Sequence, residues 1–155
     1  MEKVLISFFS ASGKTKSVAE KIAKLVNEDL FEIKPVKEYT KEDLDWTDKQ
    51  SRSSIEMEDK SSRPEIAKKI NEINQYDKVL IGFPIWWYTA PTIINTFIEE
   101  NDLTKKSIYL FVTSGSSSET KSLEDLKKQY PDLNFISAKR FTGNESEEEI
   151  EKWLM

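Results

Sequence analysis

Hydrophobic and polar positions alternate between two periods along the chain. Val4-Leu-Ile-Ser-Phe-Phe9 is a short apolar run and reads as a strand buried on both faces. Small hydroxyl residues follow from Ser10 to Thr15, and then Val18, Ile22, Leu25 and Val26 recur at i, i+4, i+7 and i+8, the stripe of an amphipathic helix. Leu30-Phe-Glu-Ile33 predicts a second strand, ended by Pro35. Residues 36–63 show no period, although Tyr39 and Trp46 predict that the segment packs on the domain surface. Pro64 stands where a helix opens, with Ile66, Ile70 and Ile73 as its stripe.

The pattern then repeats. Lys78–Phe83 is an apolar strand that runs into Pro84-Ile-Trp-Trp-Tyr-Thr-Ala-Pro91. A helix follows with Ile94, Phe97 and Ile98 inward and Thr89 as a possible cap. Ser107–Val112 is a further strand leading to Thr113-Ser-Gly-Ser-Ser-Ser118, and Leu123, Leu126 and Tyr130 stripe the helix beyond it. Leu133–Ile136 predicts a weaker strand, and Ile150, Trp153 and Leu154 mark a final helix. The acids from Glu145 to Glu151 suit that helix's first turns and a solvated face. Strands alternating with helices imply an α/β fold, a parallel sheet with helices on both faces. In such sheets ligands lie beyond the carboxyl ends of the strands. The loops 10–15, 84–91 and 113–118 all leave strand carboxyl ends, so they are expected to converge on one crevice.

Length and composition narrow the chemistry. With 155 residues the expectation is one domain spanning 1–155, large enough for a real core. A net charge of −5 offers no electrostatic footprint for nucleic acid. Cysteine and histidine are both missing from the sequence, which removes thiol chemistry, His-based triads and the usual zinc sites. No catalytic side chain and no metal site is expected. No run reaches membrane-span length and the first residues lack a signal-peptide pattern, so the expectation is a cytoplasmic protein without a membrane partner. Any redox chemistry must then come from a bound cofactor.

The first loop narrows the ligand. Strand, small loop and helix aim free backbone N–H groups and a positive helix end at one point, which suits a phosphate. Gly13-Lys14-Thr15 is not the nucleoside-triphosphate motif, because Phe8 stands where that motif needs its first glycine. Nor is it the dinucleotide turn, which needs three glycines against the single one here. What remains is Ser10-Ala11-Ser12-Gly13-Lys14-Thr15, hydroxyl-x-hydroxyl-Gly-x-Thr, fit to surround a terminal monophosphate. It resembles the FMN phosphate loop of flavodoxins, with serines for two threonines and Lys14 where asparagine is common.

The other two loops extend the resemblance to essentially the whole chain. Ile81–Trp87, Thr89–Pro91 and Thr113–Gly115 are similar to the corresponding stretches of a short bacterial flavodoxin subgroup. The resemblance implies a flavodoxin-like three-layer sandwich, with a five-stranded parallel sheet in the order 2-1-3-4-5 and FMN as cofactor. Under it, Pro84, Ile85, Trp86, Trp87 and Tyr88 hold the flavin ring together with Thr113, Ser114, Gly115 and Ser116. Adjacent aromatics supply an apolar, polarizable platform for a flat ring. Gly115 is expected either to admit close backbone approach or to take a positive φ.

One departure matters. The loop 113–118 holds only Thr, Ser and Gly, and neither it nor 84–91 carries Asp or Glu. One ring face is therefore expected to be open and nearly uncharged, with a less negative reduction potential than in acid-rich flavodoxins. Two functions follow from the resemblance. The first is electron transfer with a redox partner protein. The alternative is an FMN-dependent NAD(P)H oxidoreductase acting on quinones or similar acceptors, with Arg52 and Arg63 available to meet the dinucleotide. A monomer or weak homodimer is expected in either case.

Overall fold

A computed structural model describes residues 2–155. Five strands, β1 (Val4–Phe8), β2 (Asp29–Glu32), β3 (Lys78–Pro84), β4 (Ser107–Thr113) and β5 (Asn134–Phe141), form one sheet in the order β2-β1-β3-β4-β5, every pair parallel. Five α-helices connect or follow them: α1 (Lys14–Val26), α2 (Arg52–Glu58), α3 (Thr92–Glu100), α4 (Thr120–Gln129) and α5 (Glu147–Leu154).

The period-2 rule explains the unbroken apolar runs. Leu5, Val79, Ile81, Phe83, Leu110 and Val112 face one side, where Ile94, Phe97 and Leu126 of α3 and α4 cover them. Ile6, Phe8, Leu80 and Phe111 face the other side, against Val18 and Ile22 of α1 and Ile150 of α5. Gly82 pairs with Phe111 in the register, and a Cβ on Gly82 would lie 2.0 Å from the Phe111 ring. Only glycine leaves room for that ring over the centre of the sheet.

The structure departs from the pattern in five places. The stretch after Pro64 is not a helix. Its backbone turns to the chain beyond β2 instead: Val36 N–H donates to Glu65 O at 2.9 Å, Ala67 N–H to Lys34 O at 2.7 Å, and Pro35 and Ile66 form an antiparallel bridge. Ile66 is buried by this pairing, and Ile70 and Ile73 pack on the same core, the latter in a single 3-10 turn, Ile73–Gln75. Three isoleucines at helical spacing fit an extended chain just as well when backbone partners lie alongside. Conversely, the irregular segment holds α2, capped by Ser51, whose Oγ accepts from Ser54 N–H at 3.3 Å. Its apolar stripe is too thin to read, since Ile55 is exposed. Strand β5 runs to Phe141, past the predicted Ile136. Trp46 does not dock and is 75 % exposed. Thr89 does not cap α3; Pro91 occupies that position, and Thr89 Oγ1 donates to Asp125 at 2.7 Å. At the other end of the chain, Ser146 caps α5 and Glu147, Glu148 and Glu149 fill its first turn, as the helix dipole favours.

Candidate functional site

The three loops meet beyond the carboxyl ends of β1, β3 and β4. Thr15 Oγ1 and Thr113 Oγ1 lie 2.8 Å apart in a buried hydrogen bond, tying loop 10–15 to loop 113–118. Ile85 N–H donates to Thr113 O at 2.9 Å, tying in loop 84–91. Thr113 is therefore the junction of all three.

Loop 10–15 is built to leave donors free. Gly13 takes φ +95°, with nothing within 4 Å of where its Cβ would be, and it is the N-cap of α1. No side chain caps that helix among the described residues, and its first intrahelical bond is Ser17 N–H to Gly13 O. The N–H groups of Lys14, Thr15 and Lys16 point past the end of the helix, as the geometry of an α-helix requires. Ser10 Oγ accepts from Gly13 N–H at 3.1 Å and closes the turn. Ser12 and Lys14 are exposed, Ala11 packs partly on the core, and Thr15 is almost fully buried.

The aromatic triplet divides. Trp86 turns inward and packs edge-on against Phe9 and Tyr39, with ring centroids 5.6 and 5.3 Å away. Trp87 and Tyr88 turn outward, 41 % and 69 % exposed. They are the central residues of a tight turn in which Trp86 N–H donates to Thr89 O and Thr89 N–H to Trp86 O, at 2.9 and 3.0 Å. Both have positive φ, +47° and +68°. Two-residue turns of this kind are ordinarily made by Asn-Gly, because a Cβ is strained there. Two large aromatics held outward in a strained turn mark a site that gives up stability for presentation. Beside them, a hollow of about 430 Å³ opens between Tyr88 and the start of α4, edged by Ser118 and Thr120.

Two residues outside the expected set shape the site. Arg140, near the end of β5, holds the third loop: its guanidinium donates to Ser114 Oγ (3.0 Å), Ser114 O (3.2 Å) and Gly115 O (2.8 Å). Gly115 does not adopt a positive φ; its carbonyl is instead one of the atoms Arg140 fixes, and the space around its Cα is open. The readable signal is the basic pair Lys139-Arg140, which lies beyond the predicted strand end at Ile136 and inside the observed β5. The second residue is Tyr39. It bears on Phe9 and Trp86, lies under the Arg52 guanidinium at 3.8 Å, and donates its hydroxyl to Glu56. Burial and that hydrogen bond hold the phenol protonated, far above the usual tyrosine range. Arg52 is further occupied by Glu56 at 2.8 Å and Lys37 O at 2.7 Å, and Arg63 by both oxygens of Glu99 at 3.0 Å.

Among the described residues there is no cluster of His, Cys, Asp and Glu that would hold a metal ion, and no helix is long and apolar enough to cross a membrane. No curated protein matches the chain significantly. Solved structures do. A candidate flavoprotein from Bacteroides eggerthii DSM 20697 is 47 % identical with a TM-score of 0.96, over 99 % of this chain and 96 % of that one. A second, from Bacteroides uniformis ATCC 8492, is 44 % identical with a TM-score of 0.93, over 99 % and 97 %. A flavoprotein from Lactobacillus acidophilus NCFM, solved in complex with FMN, is 26 % identical with a TM-score of 0.80 over 100 % of both chains. The flavodoxin family model matches residues 3–155. By fold, by loop placement and by that match over nearly its full length, the chain belongs to the flavodoxin family.

Proposed function

We propose that this protein binds FMN at the three converging loops and carries electrons between redox partners. The observation that carries the reading is the buried Thr15–Thr113 bond, which sets the uncapped N-terminus of α1 beside the loops that surround the outward aromatics. The residues present fit the cofactor. The free N–H groups at 14–16, the exposed Ser12 and Lys14, and Ser10 at the turn offer donors and one positive charge for a monophosphate. Trp87 and Tyr88 offer apolar faces to a flat ring, and Pro84, Ile85, Trp86 and Thr113–Ser116 offer backbone groups to its polar edge. Bound FMN supplies the electron-accepting chemistry, which a chain without cysteine or histidine lacks in its side chains. Arg140 holds the loop carbonyls in place and adds positive charge behind the loop.

The alternative is an NAD(P)H oxidoreductase acting on quinones or similar acceptors. Its support is the aromatic-free loop 113–118, which leaves room for a second ring. Against it, Arg52 and Arg63, the two arginines expected to meet a dinucleotide's phosphates, are both engaged by carboxylates. The deciding experiment is anaerobic mixing of the FMN-loaded protein with NADPH or NADH. The carrier reading predicts a visible spectrum unchanged over minutes, then rapid reoxidation of the dithionite-reduced protein by a one-electron acceptor such as cytochrome c. Bleaching by the nicotinamide within seconds would establish the alternative.

A further inference from the structure

A cavity lies away from loop 10–15. It has a volume of about 550 Å³ and sits between α2, the strained turn, α3 and α4. Its apolar wall is Met57, Trp87, Ala90 and Leu126. Its charged rim is Lys60, Lys121 and Lys128 against a single carboxylate, Asp125, on a chain whose net charge is −5. Asp125 is committed: it accepts from Thr89 Oγ1 at 2.7 Å and from Lys121 Nζ at 2.9 Å. Although burial opposes it, these two bonds and the nearby Lys60 charge keep that carboxyl ionised below the usual range. Lys60 and Lys128 make no ion pair among the described residues.

Thr92 lines the cavity at 5 % exposure, but its Oγ1 is itself enclosed by protein, so the polar contacts open to an occupant are the ammonium groups of Lys60 and Lys128. Asn95 beside it is already spoken for, donating to Gln129 Oε1 at 2.7 Å and Tyr130 Oη at 3.0 Å.

We propose that this cavity is a binding site for a small carboxylate with an apolar body, distinct from the phosphate loop. The volume falls in the range of small-molecule sites and exceeds what a bare anion needs, so the occupant has an apolar body. Lysines without an arginine fork suit one compact negative charge better than a phosphate chain. Met57 and Lys60 come from the segment 36–63, so docking of that segment builds one wall. The cavity touches the flavin platform only through Trp87, and the titration is informative with or without FMN.

The test is calorimetric titration of the full chain, saturated with FMN, with 2-naphthoate as the probe and neutral 2-naphthalenemethanol as control. The expected result is one saturable site that prefers the carboxylate by tenfold or more. The Lys60→Gln, Lys128→Gln double variant should lose that preference while its FMN affinity stays at the wild-type value. Absence of saturable binding, equal affinity for the neutral control, or displacement of naphthoate by FMN would each overturn the proposal. If FMN itself fails to bind, the same titration on the unloaded chain still decides it.

Discussion

At the scale of single residues, Thr15, Thr113 and Arg140 organise the site. Thr15, a candidate phosphate ligand by sequence, is only 2 % exposed, so a larger side chain would overpack the junction, at a typical cost of about 1–3 kcal/mol. The informative change is Thr15→Val, which keeps the volume and deletes the hydroxyl. Arg140 was not legible, because nothing in its surroundings is local: its three acceptors lie 25 and 26 positions away, reached only through the β4–β5 pairing. Its charge adds to the carboxylate-free loops, and reduction places more negative charge on the bound cofactor. Arg140→Gln should therefore make the midpoint potential more negative, by something on the order of 30 mV, tenfold in a two-electron equilibrium. Potentiometric titration with dye mediators measures it. An unchanged or less negative potential would show that the guanidinium acts on the loop alone.

At the scale of elements, the strands and the helices with thick apolar stripes were legible, since burial on both faces dictates β1, β3 and β4 outright. What escaped was set by tertiary partners. Residues 65–67 pair with 34–36, and α2 forms with almost no stripe because Ser51 caps it while Tyr39, Arg52 and Glu56 clip it down. The triplet Trp86-Trp87-Tyr88 was not legible as a turn, because aromatics are the wrong residues for positive φ. That mismatch gives a prediction. Trp87→Asn with Tyr88→Gly should relieve strain worth about 1–3 kcal/mol per residue in the general case, raising the urea midpoint. The same double variant should weaken FMN binding. If stability fell instead, the turn would not be strained. If FMN affinity held, the outward aromatics would not touch the ring.

At the scale of the molecule, several carboxyls are held ionised by the fold. Glu145 is the clearest. Burial alone would raise its pKa, but Thr142 N–H and Gly143 N–H donate to it at 2.9 Å each and Thr142 Oγ1 at 3.1 Å, and the net result lies below the usual range. Glu99, held by Arg63 against a smaller desolvation cost, and Asp125 shift the same way. A group with a lowered folded pKa binds fewer protons folded than unfolded, so its stabilisation is full above the unfolded value, roughly 4, and is lost as the pH falls through the folded value. The melting temperature should be flat from pH 8 to 6 and fall steadily below pH 5. In Glu145→Gln the unfolding free energy at neutral pH should drop, by about 2 kcal/mol for hydrogen bonds to a charged acceptor, and the acid slope of the melting temperature should flatten. A wild-type melting temperature that rises on acidification would contradict the assignment. The single sheet shared by all five strands also implies one cooperative transition in these melts.

The claim on which the functional reading stands is that loop 10–15 recognises a terminal monophosphate. Fluorescence titration of the purified chain with FMN and, separately, with riboflavin isolates that group. Donors held ready for phosphate should make FMN bind at least about 100-fold more tightly than riboflavin, since a site built around polar contacts rejects the analogue that lacks them. Ser12→Ala with Lys14→Gln, which removes two exposed donors from the loop, should erase much of that ratio while leaving riboflavin nearly unaffected. Equal affinity for the two flavins in the wild-type chain would contradict the account.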